Sequence, residues 1–232
     1  MENKIIERLS PIKGQEWIQN LNETIIKQAL LYSKNKIILD AGCGSGLTEK
    51  FLSPLAKRID AYDISKEAIN FAKKNFYNKN TYFKIKDFNK NTFKKKFYDL
   101  VVSIEVIEHL KRYDFYIKNI YNSLKTNGII VLSTPNKNLT TFKNPYHVKE
   151  FSYQEIISLL KKNNLQLIKS IGISSNYISK ISNKYIPAKI INLIKKIPFY
   201  FLIIRFFCNF KQNNKDSKKS EIIVYICKKN KK

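Results

Sequence analysis

Cysteine, methionine, tryptophan and histidine are scarce in this chain of 232 residues, which contains three, one, one and two of them respectively. The cysteines, Cys43, Cys208 and Cys227, are odd in number, lie far apart and form no CxxC pair. This pattern argues against a disulfide framework and a zinc ribbon, and it favours a reducing compartment. The N-terminus lacks the continuous apolar core of a signal peptide. We therefore expect a cytoplasmic protein.

Long apolar runs are also lacking. The stretch from Ile197 to Cys208 spans twelve residues and includes Arg205, whereas a membrane-crossing helix needs about 20. Lysines flank this stretch, so it fits a segment that lies on anionic lipid, peripheral to the inner membrane face. A lid packed over a ligand pocket explains the same apolar residues equally well. Both interpretations remain open.

Arginine accounts for only four of the 43 basic residues, although the formal net charge is +25. Specific contacts to bases and phosphates favour the planar guanidinium group, so a lysine-dominated excess makes RNA the less favoured partner. Lys, Asn and Ile are raised together, which is typical of proteins from A+T-rich genomes. The charge is uneven, however, because residues 174–232 carry 14 basic and two acidic side chains. This local excess is compatible with an anionic membrane surface as a partner.

Apolar β-branched runs alternate with helix-period segments, which predicts an α/β fold with a doubly wound, seven-stranded sheet. The strands are predicted at 36–40, 58–62, 81–86, 98–104, 128–133, 166–173 and 221–227. The helices are predicted near 16–33, 46–56, 65–76, 113–126 and 153–163. The predicted parts are an N-terminal helical cap (1–35), a core (36–173), a basic, apolar helical insertion (174–220), and a final strand with a tail (221–232).

The first predicted strand leads directly into a glycine-rich turn, Ala41 to Gly46, which we call the glycine loop. Its glycines let the backbone turn tightly and approach a ligand at the carboxyl end of a strand. A nicotinamide-binding loop usually reads GxGxxG, whereas this run is DxGxGxG and begins with Asp40. A carboxylate there suits an amino-acid ammonium or a bound water better than a diphosphate. A plain strand-to-helix turn is the alternative.

Asp63 ends the second predicted strand, 23 residues after Asp40. A carboxylate at this strand end can accept hydrogen bonds from both hydroxyls of a ribose. The alternative is a helix N-cap, a position that Ser65 can also fill. Because the glycine loop precedes it at a suitable distance, we expect the ribose role.

Successive motifs resemble those of class I S-adenosylmethionine-dependent methyltransferases: Leu39 to Gly46, Asp63, Lys86 to Phe88, and Tyr98 to Ser103. The resemblance implies a Rossmann-like methyltransferase fold with an antiparallel last strand, and S-adenosylmethionine as the cofactor. It also implies that the glycines contact the methionine moiety, that Asp63 holds the ribose, and that Asp87 and the Phe88 backbone border the adenine. The residues expected to bind the cofactor are Asp40, Gly42, Cys43, Gly44, Asp63, Ile64, Asp87, Phe88 and Ser103.

Both histidines of the chain lie where acceptor chemistry is expected. The fourth strand is followed by Glu105, Glu108 and His109, which are spaced at i, i+3 and i+4. This spacing predicts that the three side chains share one face of a helical turn. The second histidine, His147, lies in a later loop. One interpretation makes all four residues ligands of a divalent metal. A second makes His109, His147 and Glu105 catalytic, with a histidine as general base. In the third they only line the pocket and pin the loop.

The ExxEH motif with a distal histidine is similar to small-RNA 3′-terminal 2′-O-methyltransferases, where it implies a metal that also binds ribose hydroxyls. A Glu-His pair with a later histidine is similar as well to ubiquinone-biosynthesis O-methyltransferases, which act on a catechol-like lipid. We therefore expect O-methylation of a small-molecule, lipid-linked or saccharide acceptor. The alternatives are an RNA 2′-O-methyltransferase and a non-catalytic S-adenosylmethionine-binding protein. Neither the exact acceptor nor the oligomeric state follows from the sequence.

Overall fold

The computed structural model describes residues 16–139, 144–174, 211–213 and 217–230. The helices are α1 (Glu16–Leu30), α2 (Leu47–Leu52), α3 (Lys66–Asn75), α4 (Tyr113–Ser123) and α5 (Tyr153–Lys162), with 3₁₀ turns at Ile107–His109 and Ser217–Lys219. The strands are β1 (Ile37–Ala41), β2 (Arg58–Asp63), β3 (Thr81–Ile85), β4 (Tyr98–Ile104), β5 (Leu124–Pro135), β6 (Leu165–Ser174), β7 (Lys211–Asn213) and β8 (Ile222–Lys229). Each predicted helix of the core has its counterpart.

The strands form one twisted mixed sheet in the order β3-β2-β1-β4-β5-β8-β6-β7. The first five strands are parallel, whereas β8 runs antiparallel between β5 and β6. All seven predicted strands are present, and the predicted antiparallel last strand is confirmed. The short strand β7, which pairs with β6 at the edge, was not predicted. It lies within the segment that the sequence analysis assigned to the insertion.

Side chains of successive residues in β4 divide between two hydrophobic layers. Val101 packs in the layer formed with α4 and α5, whereas Leu100 and Val102 pack in the layer formed with α1, α2 and α3. This alternation follows from the two-residue period of a strand whose two faces are both covered. Burying each large side chain contributes roughly 1.5–3 kcal/mol. The sheet therefore forms the rigid centre of the molecule.

The strand order reverses between β1 and β4, which lie side by side at the centre of the sheet. In open α/β sheets a crevice opens at this point, beyond the carboxyl ends of the strands, and ligands bind there. The glycine loop follows β1, and Glu105 follows β4. Asp63 ends β2 at the same edge. The predicted site residues are therefore gathered at one edge of the sheet.

The apolar segment from 188 to 210 lies outside the described residues, so its predicted roles as a lid or an interfacial segment stay predictions. Among the residues that the structure describes, none of the helices is long and apolar enough to cross a membrane.

Candidate functional site

The glycine loop depends on left-handed backbone conformations. Gly42 has φ of 101° and Gly46 has φ of 91°, values that side chains disfavour. A Cβ atom on Gly42 would collide with the side chain of Val106, which follows β4. The amides of Gly42 and Cys43 both donate to the carbonyl oxygen of Tyr62, at 2.8 and 3.1 Å. These bonds tie the loop to the end of β2 and fix its path across the crevice.

Asp63 joins the glycine loop to the start of α3. Its Oδ2 accepts a hydrogen bond from the Gly44 amide at 3.0 Å, and its Oδ1 accepts one from the Ser65 amide at 2.8 Å. The N-cap of α3 is Ser65, whose hydroxyl accepts from the Ala68 amide. The N-cap alternative for Asp63 is therefore wrong. A carboxylate has about four lone-pair sites, so Asp63 keeps acceptor capacity for ribose hydroxyls.

The adenine side of the predicted site follows β3. Asp87 Oδ1 accepts a hydrogen bond from the Asn89 amide at 2.9 Å, which orders the loop. The Phe88 ring is buried against Tyr116 and Phe93, with 5.5 Å between ring centroids in both pairs. Because this side chain belongs to the core, any contact of Phe88 with adenine would come from its backbone, as the resemblance implied.

Ser103 and Cys43, both predicted to bind the cofactor, have buried side chains. The Ser103 hydroxyl is buried and hydrogen-bonds the Tyr116 hydroxyl at 2.8 Å, and that hydroxyl donates to the Ala41 carbonyl at 3.4 Å. The Ser103 side chain therefore braces the start of the glycine loop, and its predicted contact with the cofactor stays a prediction. Cys43 is also buried, and burial raises the pKa of its thiol. Ile64, by contrast, is exposed beside Asp63.

Three predicted acceptor-side residues come together at the other side of the crevice. One ligand atom from each of Glu108, His109 and His147 lies within 4.8 Å of the other two. The two imidazole rings are nearly perpendicular, with centroids 5.0 Å apart. We call these three residues the acceptor cluster.

The loop that carries His147 is attached to the 3₁₀ turn by backbone hydrogen bonds. The Glu108 carbonyl oxygen accepts from the amides of Val148 and Lys149 at 2.8 and 3.1 Å. The Glu108 carboxylate accepts a hydrogen bond from the Thr134 hydroxyl at 3.0 Å. Segments that are almost 40 residues apart in sequence are thereby held in one arrangement.

Hydrogen bonds also determine which nitrogen of each histidine is available. Nδ1 of His109 lies 3.1 Å from the Tyr146 carbonyl oxygen, which can only accept, so this nitrogen carries a proton. Nδ1 of His147 lies 3.2 Å from the Glu150 carboxylate. A neutral imidazole that donates through Nδ1 keeps a lone pair on Nε2. Both rings can therefore offer Nε2 to a proton or a metal ion.

Glu105 does not join the acceptor cluster. Its φ of 53° places it in the left-handed region, and the 3₁₀ turn begins only at Ile107. The predicted helical turn from 105 to 109 is therefore wrong, because i, i+3 and i+4 spacing brings side chains together only on a continuous helix. Glu105 Oε1 instead accepts from the Ser133 hydroxyl at 2.7 Å. Burial raises its pKa to about 7, although this hydrogen bond opposes the shift.

Two residues near the site were missed in the sequence. Thr134 orients the Glu108 carboxylate, and Glu49 is completely buried beside Asp40. The signal for Glu49 is its position on the inward face of α2, between buried Thr48 and buried Leu52. The signal for Thr134 is weaker, since a hydroxyl at the end of an apolar strand is common.

Comparison with known proteins identifies the family. A family model described as a methyltransferase domain matches residues 15–170. The ubiquinone biosynthesis O-methyltransferase of Pelagibacter ubique is 31% identical over 207 residues, covering 78% of this chain and 84% of that protein. The protein of the same name from Rickettsia akari is 30% identical over 137 residues, and the match covers 52% of its length.

Solved structures agree at the level of the fold. The N-methyltransferase NodS from Bradyrhizobium japonicum superposes with a TM-score of 0.62 at 14% identity, covering 93% of this chain and 98% of that one. Identity this low establishes the fold but not the acceptor. The matched domain, the relatives and the fold together show that the chain belongs to the class I S-adenosylmethionine-dependent methyltransferases.

Proposed function

We propose that this methyltransferase transfers the methyl group to a hydroxyl of a small-molecule acceptor, and that the acceptor cluster acts on that hydroxyl. The observation that carries the proposal is the convergence of Glu108, His109 and His147 at the cofactor edge of the sheet. The name of the Pelagibacter ubique relative, an O-methyltransferase, favours oxygen as the accepting atom. The RNA and non-catalytic alternatives have no comparable support.

Methyl transfer needs little covalent chemistry from the protein. S-adenosylmethionine supplies an electrophilic methyl on sulfonium, and the barrier falls mainly when the acceptor oxygen is held in line with it. The glycine loop and Asp63 hold the cofactor, with Asp87 and the Phe88 backbone at the adenine. The acceptor cluster, on the other side of the crevice, positions the hydroxyl.

The acceptor hydroxyl must lose its proton as the new bond forms. Nε2 of His147 can accept it, while the Glu150 carboxylate stabilises the imidazolium that results. His109 faces a neutral carbonyl oxygen at Nδ1 instead. A carboxylate stabilises positive charge better than a neutral carbonyl does. We therefore assign the general base to His147 and a supporting role to His109.

The acceptor cluster also fits a divalent metal ion. One carboxylate and two imidazoles, each with a hydrogen-bonded outer partner, are a common donor set for magnesium, manganese, iron or zinc. Such an ion would lower the pKa of the acceptor hydroxyl. Glu108, His109 and His147 would hold it, without the predicted fourth ligand Glu105, whose carboxylate contacts Ser133 instead.

Chelation separates the two versions of this chemistry. If a metal held by the acceptor cluster activates the hydroxyl, activity will be lost in EDTA and restored by one of the divalent ions, and His147 will then serve as a ligand and not as the base. Loss without restoration by any of these ions would contradict a simple metal requirement. Full activity in the chelator would exclude the metal and leave His147 as a base acting alone.

The acceptor class can be narrowed with matched compounds. We propose that the acceptor is a catechol-like molecule with a lipid chain, which the enzyme binds at the inner membrane face. A saccharide is the second candidate. The test is a panel incubated with methyl-labelled cofactor, containing a catechol with and without a prenyl chain, a saccharide and a short RNA. Labelling of the prenylated catechol above the bare one supports the proposal. Labelling of RNA alone would overturn it.

A further inference from the structure

A pair of buried carboxyl groups lies beneath the glycine loop, away from the acceptor cluster. Asp40 belongs to β1, and Glu49 lies in the first turn of α2, directly after the loop. Asp40 is 1% exposed and Glu49 is completely buried. Neither position is explained by packing, because burying an ionised carboxylate costs several kcal/mol unless it is compensated.

The hydrogen bonds around this pair are incomplete if both groups are ionised. Asp40 Oδ2 and both carboxyl oxygens of Glu49 receive no hydrogen bond from the described part of the chain. Two carboxylates side by side would also repel each other. A single proton removes the repulsion and gives two of these three oxygens a hydrogen bond, because a carboxylic acid can donate to a neighbouring carboxylate.

The surroundings identify the group that carries the proton. Burial raises the pKa of Asp40 to about 6, opposed by hydrogen bonds from Glu49 and Thr48. Burial, followed by the charge of Asp40, raises the pKa of Glu49 well above its usual range. The other titratable groups facing the pair are Asp63, Cys43 and Tyr116, so no cation from the described residues compensates it. Glu49 is accordingly the neutral member at pH 7.

We propose that Glu49 is a positioning residue, which as a neutral acid donates a hydrogen bond to Asp40 and keeps that carboxylate ionised and oriented for the cationic amino-acid end of the cofactor. The missing positive charge in the apo pocket is then supplied by the ligand. The Asp40 carboxylate binds the ammonium group, and Glu49 affects cofactor binding only through Asp40. This inference concerns the cofactor pocket and does not depend on which acceptor is methylated.

Two substitutions separate donation of a hydrogen bond from charge. Glu49→Gln keeps the size of the side chain and a donor but cannot ionise. Glu49→Ala removes the donor and leaves burial of Asp40 uncompensated, so the pKa of Asp40 should rise further. Lys50→Gln, on the exposed side of the same helix, is the control for a general effect on α2.

The experiment is calorimetric titration with S-adenosylhomocysteine from pH 5 to pH 8, which avoids turnover. Wild-type affinity should weaken below about pH 6, because Asp40 becomes protonated. Glu49→Gln should keep this midpoint, and its affinity for S-adenosylhomocysteine at pH 7 should be within about twofold of the wild-type affinity, which is about 0.4 kcal/mol. Glu49→Ala should bind roughly tenfold more weakly at pH 7, with its midpoint moved upward.

Either of two results would overturn the proposal. One is an unchanged midpoint in Glu49→Ala, and the other is a loss in Glu49→Gln as large as that in Glu49→Ala. If Glu49→Ala does not fold, thermal melting of Glu49→Gln decides instead. The pKa of Glu49 is raised well above its ordinary value of 4.5, so wild type loses stability as pH rises from that value, and Glu49→Gln should gain on it from about pH 5 to pH 7. A relative loss over this range would show that Glu49 is needed as an anion.

Discussion

The two sides of the crevice are built in different ways. The cofactor side is one continuous stretch, Asp40 to Glu49, tied to Asp63 by a hydrogen bond to the Gly44 amide. The acceptor side joins a 3₁₀ turn to a distant loop through bonds to the Glu108 carbonyl. The cofactor side is largely buried, whereas His147 and Glu150 keep side-chain exposures of 10% and 18%.

This difference matches the two tasks. The cofactor is the same molecule throughout the family, so its site can be a fixed turn determined by local backbone geometry. The acceptor varies, and a site assembled from separate loops can change without disturbing the sheet. Substitutions on one side should therefore change cofactor affinity, and substitutions on the other should change turnover.

The largest expected effect is on turnover at the acceptor side. His147→Ala should lower kcat by roughly 100- to 1,000-fold, because it removes the proposed base. S-adenosylhomocysteine affinity should stay within about twofold, since His147 lies away from the glycine loop. Steady-state kinetics measure kcat, and calorimetry measures the affinity for S-adenosylhomocysteine. Val148→Ala, an exposed neighbour whose backbone bond is kept, serves as the control. A loss of cofactor affinity as large as the loss of kcat would contradict the separate roles of the two sides of the crevice.

The complementary change is on the cofactor side. Asp63→Ala should weaken S-adenosylmethionine and S-adenosylhomocysteine binding by roughly 10- to 100-fold, because ribose hydroxyls lose a charged acceptor and the Gly44 amide loses its partner. Asp63→Asn should be intermediate, and Asp114→Ala on the exposed part of α4 should be neutral. Unchanged affinity in Asp63→Ala, measured by calorimetry, would refute the ribose role.

The buried cofactor side should also differ in its response to pH. Asp40 has a raised pKa of about 6 in the folded protein, so its contribution to stability is lost as pH rises from about 4 to 6. Asp40→Asn should therefore gain about 2 kcal/mol on wild type over that range. Urea unfolding of the two proteins without cofactor, at about pH 4 and about pH 6, measures this difference in the free energy of unfolding. A constant difference between the two proteins would contradict the raised pKa.

A smaller effect should follow from Thr134, which orients Glu108. Thr134→Val keeps the shape of the side chain but removes the donor, so kcat should fall by roughly fivefold, as expected for one hydrogen bond. Thr134→Ser keeps the hydroxyl and should retain most of the activity. If the valine variant instead lost cofactor affinity, Thr134 would belong to the other side of the crevice.

The fold was largely predictable from the sequence, because the apolar runs that define the strands are continuous and local in the sequence. The glycine loop was predictable for the same reason, since Asp40 and three glycines occupy a few consecutive positions. The short strand β7 was missed because three residues carry almost no periodic signal.

The acceptor side was only partly predictable. The sequence identified Glu108, His109 and His147, but it grouped Glu105 with them by assuming a regular helical turn. The left-handed conformation of Glu105 breaks that turn, and no glycine or proline announces it. The contact between Thr134 and Glu108 depends on how separate segments meet, which residue spacing does not encode.

The central claim is that the methyl group goes to an acceptor oxygen beside the acceptor cluster. The most direct test is to supply cofactor carrying a ¹³C-labelled methyl group, incubate the wild-type protein with the prenylated catechol, and locate the label in the product by NMR. The account predicts that the label appears in a methoxy group on the aromatic ring, and that His147→Ala abolishes it while cofactor still binds. A labelled methyl group bonded to a ring carbon, or undiminished labelling by His147→Ala, would contradict the account.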